Sequence, residues 1–359
     1  MQDKTQKILN ENPTEILYIS FNQDSSCISI GTESGFKIIN SCPFLDLYYR
    51  DMKGGIGIVE MLYNTNLLGL VGGGKNPKYP LNEFVLWDEE KGEETGKVKM
   101  NRNILNIKLK ENKVYIVTSD RIYLFDFNLN LIDALESKNP LGLISLCYKE
   151  DIIAYPDKKI EGCISIKNYD KKLRYYFLAH RTPLSCMFLN QEGNLISTSS
   201  LKGTLVRIYN ILNGNLIQEV RRGIECAFIN YISFDPTQKY FAVASDKKTI
   251  HLFFLNTQNW INNQKNKNIK SKIISEEEEE KKNEIIDNKK GVFNGLNKFI
   301  KVFGSEYSFT RFKVQFNKCI CAFGPDNTII IVTYDGKYYQ VGFEPVNNSE
   351  SFKIQEEKF

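Results

Sequence analysis

Short segments that mix apolar and polar positions and end on a small polar or aromatic residue recur through the first 255 residues. Their ends lie 38–48 residues apart, close to the repeat of ~40–45 residues of a four-stranded propeller blade. Their composition and alternation are typical of β-strands. The six segments cover residues 36–40, 84–88, 121–126, 163–168, 206–210 and 250–254, and one of them ends in a Trp-Asp dipeptide.

Further strand patterns joined by polar turns precede these segments, as in residues 16–21, the turn Asn22-Gln23-Asp24, and residues 27–31. No long amphipathic helical pattern interrupts the first 255 residues, which excludes an alternating α/β fold. Six such units, with a last unit from about residue 312 to 343, predict an all-β, WD-repeat-like, seven-bladed β-propeller. Residues 1–359 then form a single domain.

The sixth unit is followed by an insertion, residues 256–305, which is predicted to be partly disordered because its middle is a run of charges. Its end carries an apolar stripe at helical spacing between lysines. We expect this stripe to contact a membrane as a short amphipathic helix, the alternative being that it packs on the propeller itself. Its residues are Phe293, Leu296, Phe299, Ile300 and Phe303.

Composition narrows the functional class. Apolar residues make up 42% of the chain. The net charge is only +4, so no nucleic-acid partner is expected. The eight cysteines are scattered and form no Cys-x-x-Cys pair. This pattern favours reduced cysteines in a cytoplasmic protein over disulfide bonds or a metal site. The first residues contain no apolar h-region and no apolar run approaches ~18 residues, so we expect neither a signal peptide nor a membrane-spanning helix.

Catalytic motifs are also missing. Residues 69–76 approach a nucleotide-binding P-loop, but Asn76 stands where a Ser or Thr hydroxyl must hold magnesium, and Pro77 disfavours a helix at that point. There is no Gly-x-Ser-x-Gly motif and no histidine-rich metal cluster. We therefore predict a protein without enzymatic activity, cofactor or metal.

One short stretch does carry candidate chemistry. Arg221 and Arg222 follow a predicted strand and precede Gly223. Successive residues of a strand point to opposite faces, so the two guanidinium groups are expected to serve two different places. Each is a permanently charged fork suited to phosphate.

These residues carry a resemblance to a known family. Val220-Arg221-Arg222-Gly223 is similar to the Phe/Leu-Arg-Arg-Gly run of the PROPPINs, WD-repeat β-propellers that bind polyphosphoinositides and act in autophagy. Other stretches that resemble the family are 21–24, 35–36, 59–62, 70–74, 180–184, 200–204 and 305–309. One departure is Lys248, which stands where the family usually has glycine.

The resemblance implies binding of phosphatidylinositol 3-phosphate and the 3,5-bisphosphate in two pockets. The first would contain Arg221 with His180, Ser200, Thr204 and Arg207, and the second Arg222 with Ser245, Lys247, Thr249 and His251. Hydroxyl, imidazole and guanidinium donors suit phosphate capture independently of the resemblance.

The resemblance also implies partners and a location. The expected partners are phosphoinositide membranes and autophagy proteins, including a lipid-transfer protein bound around the second and third blades. The expected location is cytoplasmic, at the periphery of phagophore, endosomal, vacuolar or other organelle membranes. The alternative is a soluble WD-repeat scaffold that binds only proteins and whose arginines are structural.

Overall fold

The computed structural model describes residues 15–256, 274–275, 306–344 and 351–359, and these residues form seven antiparallel sheets. Each sheet is one blade of a propeller, and its first strand lies nearest the centre of the ring. Blades one to four contain β1 (Ile16–Phe21), β2 (Cys27–Thr32), β3 (Gly35–Asn40), β4 (Leu45–Asp51), β5 (Ile56–Met61), β6 (Leu67–Gly72), β7 (Glu83–Asp88), β8 (Glu93–Lys99), β9 (Asn106–Lys110), β10 (Lys113–Val117), β11 (Arg121–Asp126), β12 (Leu131–Glu136), β13 (Ser145–Cys147), β14 (Ile152–Pro156), β15 (Cys163–Asn168) and β16 (Leu173–Leu178).

Blades five to seven follow the same plan. Their strands are β17 (Leu184–Leu189), β18 (Leu195–Ser200), β19 (Leu205–Asn210), β20 (Leu216–Arg221), β21 (Ile229–Phe234), β22 (Tyr240–Ser245), β23 (Thr249–Phe254), β25 (Thr310–Lys313), β26 (Cys319–Gly324), β27 (Thr328–Thr333), β28 (Lys337–Phe343) and β29 (Ser351–Lys358). A short strand, β24 (Ile274–Ser275), comes from the insertion and pairs with the outer edge of β16 in blade four.

Burial decreases from the middle strands of a blade to its outer strand. All six residues of β2 are buried, whereas β4 of the same blade is mostly exposed. The sequences follow this gradient, because β2 reads CISIGT and β4 reads LDLYYRD. The core therefore consists of apolar layers between neighbouring blades, and the rim is formed by the fourth strands.

The predicted fold class, an all-β seven-bladed propeller, is confirmed. The six repeat segments are the third strands of blades one to six, with the predicted ends. The boundary predicted for the last unit is wrong, because Phe312 lies in β25, the fourth strand of blade six. Blade seven begins at β26 and extends to the end of β29.

The ring closes between blades seven and one by packing of side chains. Ile19 and Phe21 of β1 share an apolar cluster with Ile320 and Val332 of blade seven. The Tyr338 hydroxyl also donates a hydrogen bond to the carbonyl of Ser41, at 2.7 Å. No backbone ladder joins the two blades among the strands described here.

The insertion lies between the third and fourth strands of blade six. Phe293, Leu296, Phe299, Ile300 and Phe303 lie outside the described residues, so their predicted role is unchanged by the structure. Within the ranges that the structure describes, no helix is long and apolar enough to span a membrane.

Candidate functional site

Arg221 is the last residue of β20, the outer strand of blade five, and Arg222 follows it directly. Arg221 pairs with Leu205 of β19, and the next pair on the same face is Arg207 with Glu219. The backbone N–H of Arg221 donates to the carbonyl of Glu306 at 2.9 Å, and that of Arg222 donates to Thr204 at 3.1 Å. Both ends of this short stretch are thus held by backbone hydrogen bonds on opposite sides.

Arg222 lines a cleft between blade five and blade six, which we call the basic cleft. Its volume is about 840 Å³. Residues of the loop after β20, of β23 and of β25 surround it. The lining residues are Arg222, Gly223, Ile224, Glu225, Lys247, Thr249, His251, Tyr307, Ser308, Phe309, Thr310, Arg311 and Ser351. Four members of the second predicted group, Arg222, Lys247, Thr249 and His251, are therefore brought together.

The guanidinium of Arg222 is buried but incompletely paired. The residue is 8% exposed, and its Nη2 donates to the carbonyl of Glu225 at 3.2 Å. Its Nε has no acceptor among the described residues. Burial lowers the pKa of Arg222, and the attraction of Asp246 and Glu225 offsets this only in part. A buried cation with an unused donor is a favourable place for an anion, since the anion supplies both the charge and the acceptor.

His251 is neutral at pH 7 in this cleft. Burial lowers its pKa to about 4, and the neighbouring charges of Arg222 and Arg311 act in the same direction. Its Nδ1 lies 3.0 Å from the hydroxyl oxygen of Ser308. An anion bound between these groups would raise the pKa of His251, since it offsets the two positive charges.

Two cleft residues, Arg311 and Ser308, were not predicted from the sequence as site residues. Arg311 of β25 pairs directly with His251 of β23. Because the insertion separates the two strands, their juxtaposition depends on sheet register that local spacing does not reveal. The sequence signals were that both residues lie in the strand-like stretch that resumes after the insertion, and that Ser308 lies in the family-like stretch 305–309.

Ser245 has a different position from the rest of its group. It is fully buried, and its hydroxyl lies 3.4 Å from that of Thr249. It is not among the residues that line the basic cleft. Ser245 thus lies outside the cleft lining, with its hydroxyl beside that of Thr249.

The first predicted group is more closely packed. His180 is buried, and its Nε2 lies 3.0 Å from the hydroxyl oxygen of Thr198. Burial lowers the pKa of His180 to about 4, with a smaller contribution from Arg207. Arg207 already has acceptors, because its Nε contacts the Glu219 carboxylate at 2.8 Å and its Nη1 the carbonyl of Ala179 at 2.8 Å.

Strand register relates Arg221 to this group. Thr198 pairs with Arg207, Arg207 with Glu219, and Arg221 follows two residues later on the same face. Ser200 and Thr204 are buried at the two ends of the hairpin between β18 and β19. No hydrogen bond among the described residues joins the Arg221 side chain to His180, Ser200 or Thr204. Its Nε is also buried without an acceptor there.

The described residues contain no group of three or more His, Cys, Asp or Glu side chains that could hold a metal ion. The chemistry of the basic cleft is therefore that of cationic, hydroxyl and imidazole donors. Donors of these types suit an anionic ligand.

Comparison with known proteins assigns the chain to a family. The PROPPIN family model matches residues 16–270. SVP1-like protein 2 of Neurospora crassa is 36% identical over 254 residues, which is 69% of this chain and 58% of that protein. Autophagy-related protein 18e of Arabidopsis thaliana is 26% identical, with 96% of this chain and 88% of that protein covered. The chain thus spans less than two thirds of the Neurospora relative.

Solved structures share the fold. Kluyveromyces lactis Hsv2 matches with a TM-score of 0.75 at 23% identity, covering 96% of this chain and 99% of that chain. A chain in the complex of KlAtg21 with the coiled coil of AgAtg16 matches with a TM-score of 0.74 at 18% identity, covering 96% and 99%. The family model extends from the first described strand, β1, past β23, the third strand of blade six. The chain belongs to the PROPPIN family.

Proposed function

We propose that this protein is a peripheral membrane effector that binds phosphatidylinositol 3-phosphate, and also the 3,5-bisphosphate, through Arg221 and Arg222. The observation that carries the proposal is the buried guanidinium of Arg222. Its Nε lacks an acceptor among the described residues, and Arg222 lines the basic cleft. The PROPPINs are lipid-binding scaffold proteins rather than enzymes, in agreement with the sequence prediction.

The composition of the basic cleft supports a phosphorylated headgroup. Lys247 and Arg311 add positive charge to that of Arg222, and Thr249 and Ser308 add hydroxyl donors. Glu225 also lines the cleft, and its negative charge disfavours an anion placed directly beside it. We therefore assign the phosphate position to the side of Arg311 and Lys247.

We assign a second, weaker phosphate site to Arg221 with His180, Ser200, Thr204 and Arg207. Two of the five N–H donors of Arg207 are taken by Glu219 and the carbonyl of Ala179, which leaves fewer of them for a phosphate. Two weak sites on one rigid body bind a membrane much more tightly than either alone, because the second binding event occurs at high effective concentration.

We extend the proposal to partners and location by family likeness. One relative is named as autophagy-related, and one structural neighbour was solved with a coiled coil. We propose autophagy proteins as partners, including a lipid-transfer protein around blades two and three, and recruitment from the cytoplasm to phagophore, endosomal or vacuolar membranes. A soluble WD-repeat scaffold without lipid binding is the alternative that the experiment below excludes or supports.

The insertion belongs to the same proposal. We assign membrane contact to Phe293, Leu296, Phe299, Ile300 and Phe303, because the sequence places them beside several lysines. Lysines near an anionic surface each contribute up to ~1 kcal/mol of attraction. The apolar side chains then enter the interface as a short amphipathic helix.

Liposome flotation tests these assignments. Wild-type protein is expected to float with liposomes that contain phosphatidylinositol 3-phosphate and not with liposomes that contain only the 4-phosphate. Arg221→Ala and Arg222→Ala each weaken flotation, and the double variant abolishes it. Replacement of Phe293, Leu296, Ile300 and Phe303 by Ser weakens flotation without changing the melting temperature.

Arg102→Ala is the matched control, because Arg102 is exposed and pairs with Asp120 in blade three. Flotation of the folded double arginine variant at the wild-type level would contradict the lipid assignment and favour the scaffold alternative. A lower melting temperature in the Ser variant, with unchanged flotation, would show instead that the stripe packs on the propeller.

A further inference from the structure

A second cavity, which we call the face pocket, lies between blades three, four and five. Its volume is about 210 Å³. It is lined mainly by apolar side chains, including Pro140, Leu141, Pro156, Pro183 and Leu201. An apolar cavity of ~150 Å³ accommodates a benzene ring, so the face pocket has room for one large apolar side chain.

The position of the face pocket separates it from the basic cleft. Its lining comes from the connections between blades and from the hairpins between second and third strands. No residue of a fourth strand contributes, whereas the basic cleft includes Thr310 and Arg311 of the outer strand β25. The face pocket therefore opens on the flat face of the propeller, inward from the rim.

Hydrogen bonds hold the walls of the face pocket in place. The Asn139 side-chain amide donates to the carbonyl of Leu143 and accepts from its N–H, both at 2.7 Å. The Ser137 hydroxyl donates to the carbonyl of Pro156 at 2.7 Å. The N–H of Leu201 donates to the carbonyl of Pro183 at 2.9 Å. A partner would therefore enter a preformed site and would pay little to order its walls.

Unpaired positive charges surround this apolar opening. Lys138 and Glu161 form an ion pair at 2.6 Å across its edge. Lys159, Arg181 and Lys202 are exposed on the loops that form the walls. None of these three makes an ion pair or a side-chain hydrogen bond with a residue of the described chain. Asp157 also lines the pocket, but Lys159, Arg181 and Lys202 outweigh its negative charge, so the surface around the pocket is suited to an acidic ligand.

We propose that the face pocket binds a linear acidic peptide segment of a partner protein, with one large apolar side chain of the segment inserted as an anchor. Leu141 and Leu201 are 43% and 47% exposed and form the mouth of the pocket. Carboxylates on either side of the anchor pair with Lys159, Arg181 and Lys202. Because the pocket faces away from the rim, a segment bound there leaves the basic cleft free.

A displayed library of short random peptides, selected on the full-length protein, tests this proposal. We expect the enriched peptides to share one apolar anchor flanked by Asp and Glu. Their affinity falls at least about tenfold for Leu141→Asp and Leu201→Asp, the loss of a central anchor contact. Lys202→Glu weakens binding as well, and added salt reduces the affinity for wild-type protein.

Matched controls lie on the opposite face of the propeller. Leu212 is 47% exposed in the hairpin between β19 and β20, and Lys172 is exposed in the hairpin between β15 and β16. Leu212→Asp and Lys172→Glu are expected to bind the enriched peptides as wild type does. Melting temperatures confirm that all variants are folded.

Three results overturn the proposal. One is the absence of enriched peptides, and a second is enriched peptides that bind Leu141→Asp and the Leu212→Asp control equally well. The third is a folded Leu141→Asp variant that loses flotation on phosphoinositide liposomes, which would make the pocket a membrane contact. Because peptide binding is measured without lipid, it succeeds or fails independently of the proposed phosphoinositide sites.

Discussion

The incompletely paired Arg222 leads to a prediction about stability. In the empty protein its guanidinium is buried, and its Nε has no acceptor among the described residues. Replacement by methionine keeps much of the side-chain volume and removes both the charge and the unsatisfied donor. We therefore expect Arg222→Met to stabilise the protein while it weakens phosphate binding.

The magnitude follows from two opposing contributions. An unsatisfied buried donor costs about 1–3 kcal/mol, and the hydrogen bond to Glu225 that is lost is worth roughly 1 kcal/mol. Removal of a poorly paired buried charge adds to the gain. We expect a net increase of about 1–2 kcal/mol in the free energy of unfolding. With ~2.1 cal/mol/K of unfolding entropy per residue over 359 residues, the melting temperature rises by about 1–3 °C.

Differential scanning calorimetry in a buffer without phosphate measures this change. Arg207→Met is the matched comparison, because Arg207 donates to both Glu219 and Ala179 and its removal should lower the melting temperature. Arg102→Met, on the exposed surface, should leave it nearly unchanged. A decrease for Arg222→Met similar to that for Arg207→Met would refute the reasoning, since it would mean that Arg222 is well satisfied in the empty protein.

Two further predictions concern pH and a turn. Burial lowers the folded-state pKa values of His180 and His251 to about 4, below the ordinary value of 6.5. The stability that the two neutral side chains contribute is therefore complete above pH 6.5 and is lost as the pH falls toward 4. At pH 5 we expect the free energy of unfolding to be lower by roughly 2 kcal/mol per histidine than at neutral pH. The loss should be smaller in His251→Gln, and a melting temperature of that variant that is as pH-sensitive as that of the wild type would contradict this prediction. Lys248 adopts a left-handed conformation, φ 58°, so Lys248→Gly should stabilise the protein by about 0.5–1 kcal/mol. Lys248→Ala should give no gain in the same denaturant titration, and an equal gain for both would show that the backbone conformation is not the cause.

The fold was predictable to the extent that it depends on local pattern. The third strands of blades one to six begin or end on residues such as Asn40 and Asp88 that also stop the apolar run, so their ends could be located from sequence. The division between blades six and seven could not, because the insertion separates β25 from β23. Phe312 follows the insertion immediately and was therefore assigned to the wrong blade.

The candidate site shows the same limit. The alternation of a strand predicts that Arg221 and Arg222 serve two different places. The register of β20 with β19 places Arg221 on the face of Glu219, and Arg222, just beyond β20, lines the basic cleft. The sequence could not reveal that Glu219 lies opposite Arg207 or that Arg311 lies opposite His251, since both depend on register between strands. Residue type alone thus suggested phosphate donors without showing that one of them is already occupied.

The way in which the ring closes has a consequence for the whole molecule. Each blade contacts two neighbours, and blades seven and one meet through the same kind of apolar packing as the others. Stability is then close to a sum over blades and the seams between them, as in repeat proteins. No strand is exchanged between the first and last described blades, so the closing seam depends on side-chain contacts. The stability of the ring therefore depends more on which blades are in contact than on the order of the blades in the sequence. A circularly permuted chain that starts at another blade would close into the same ring.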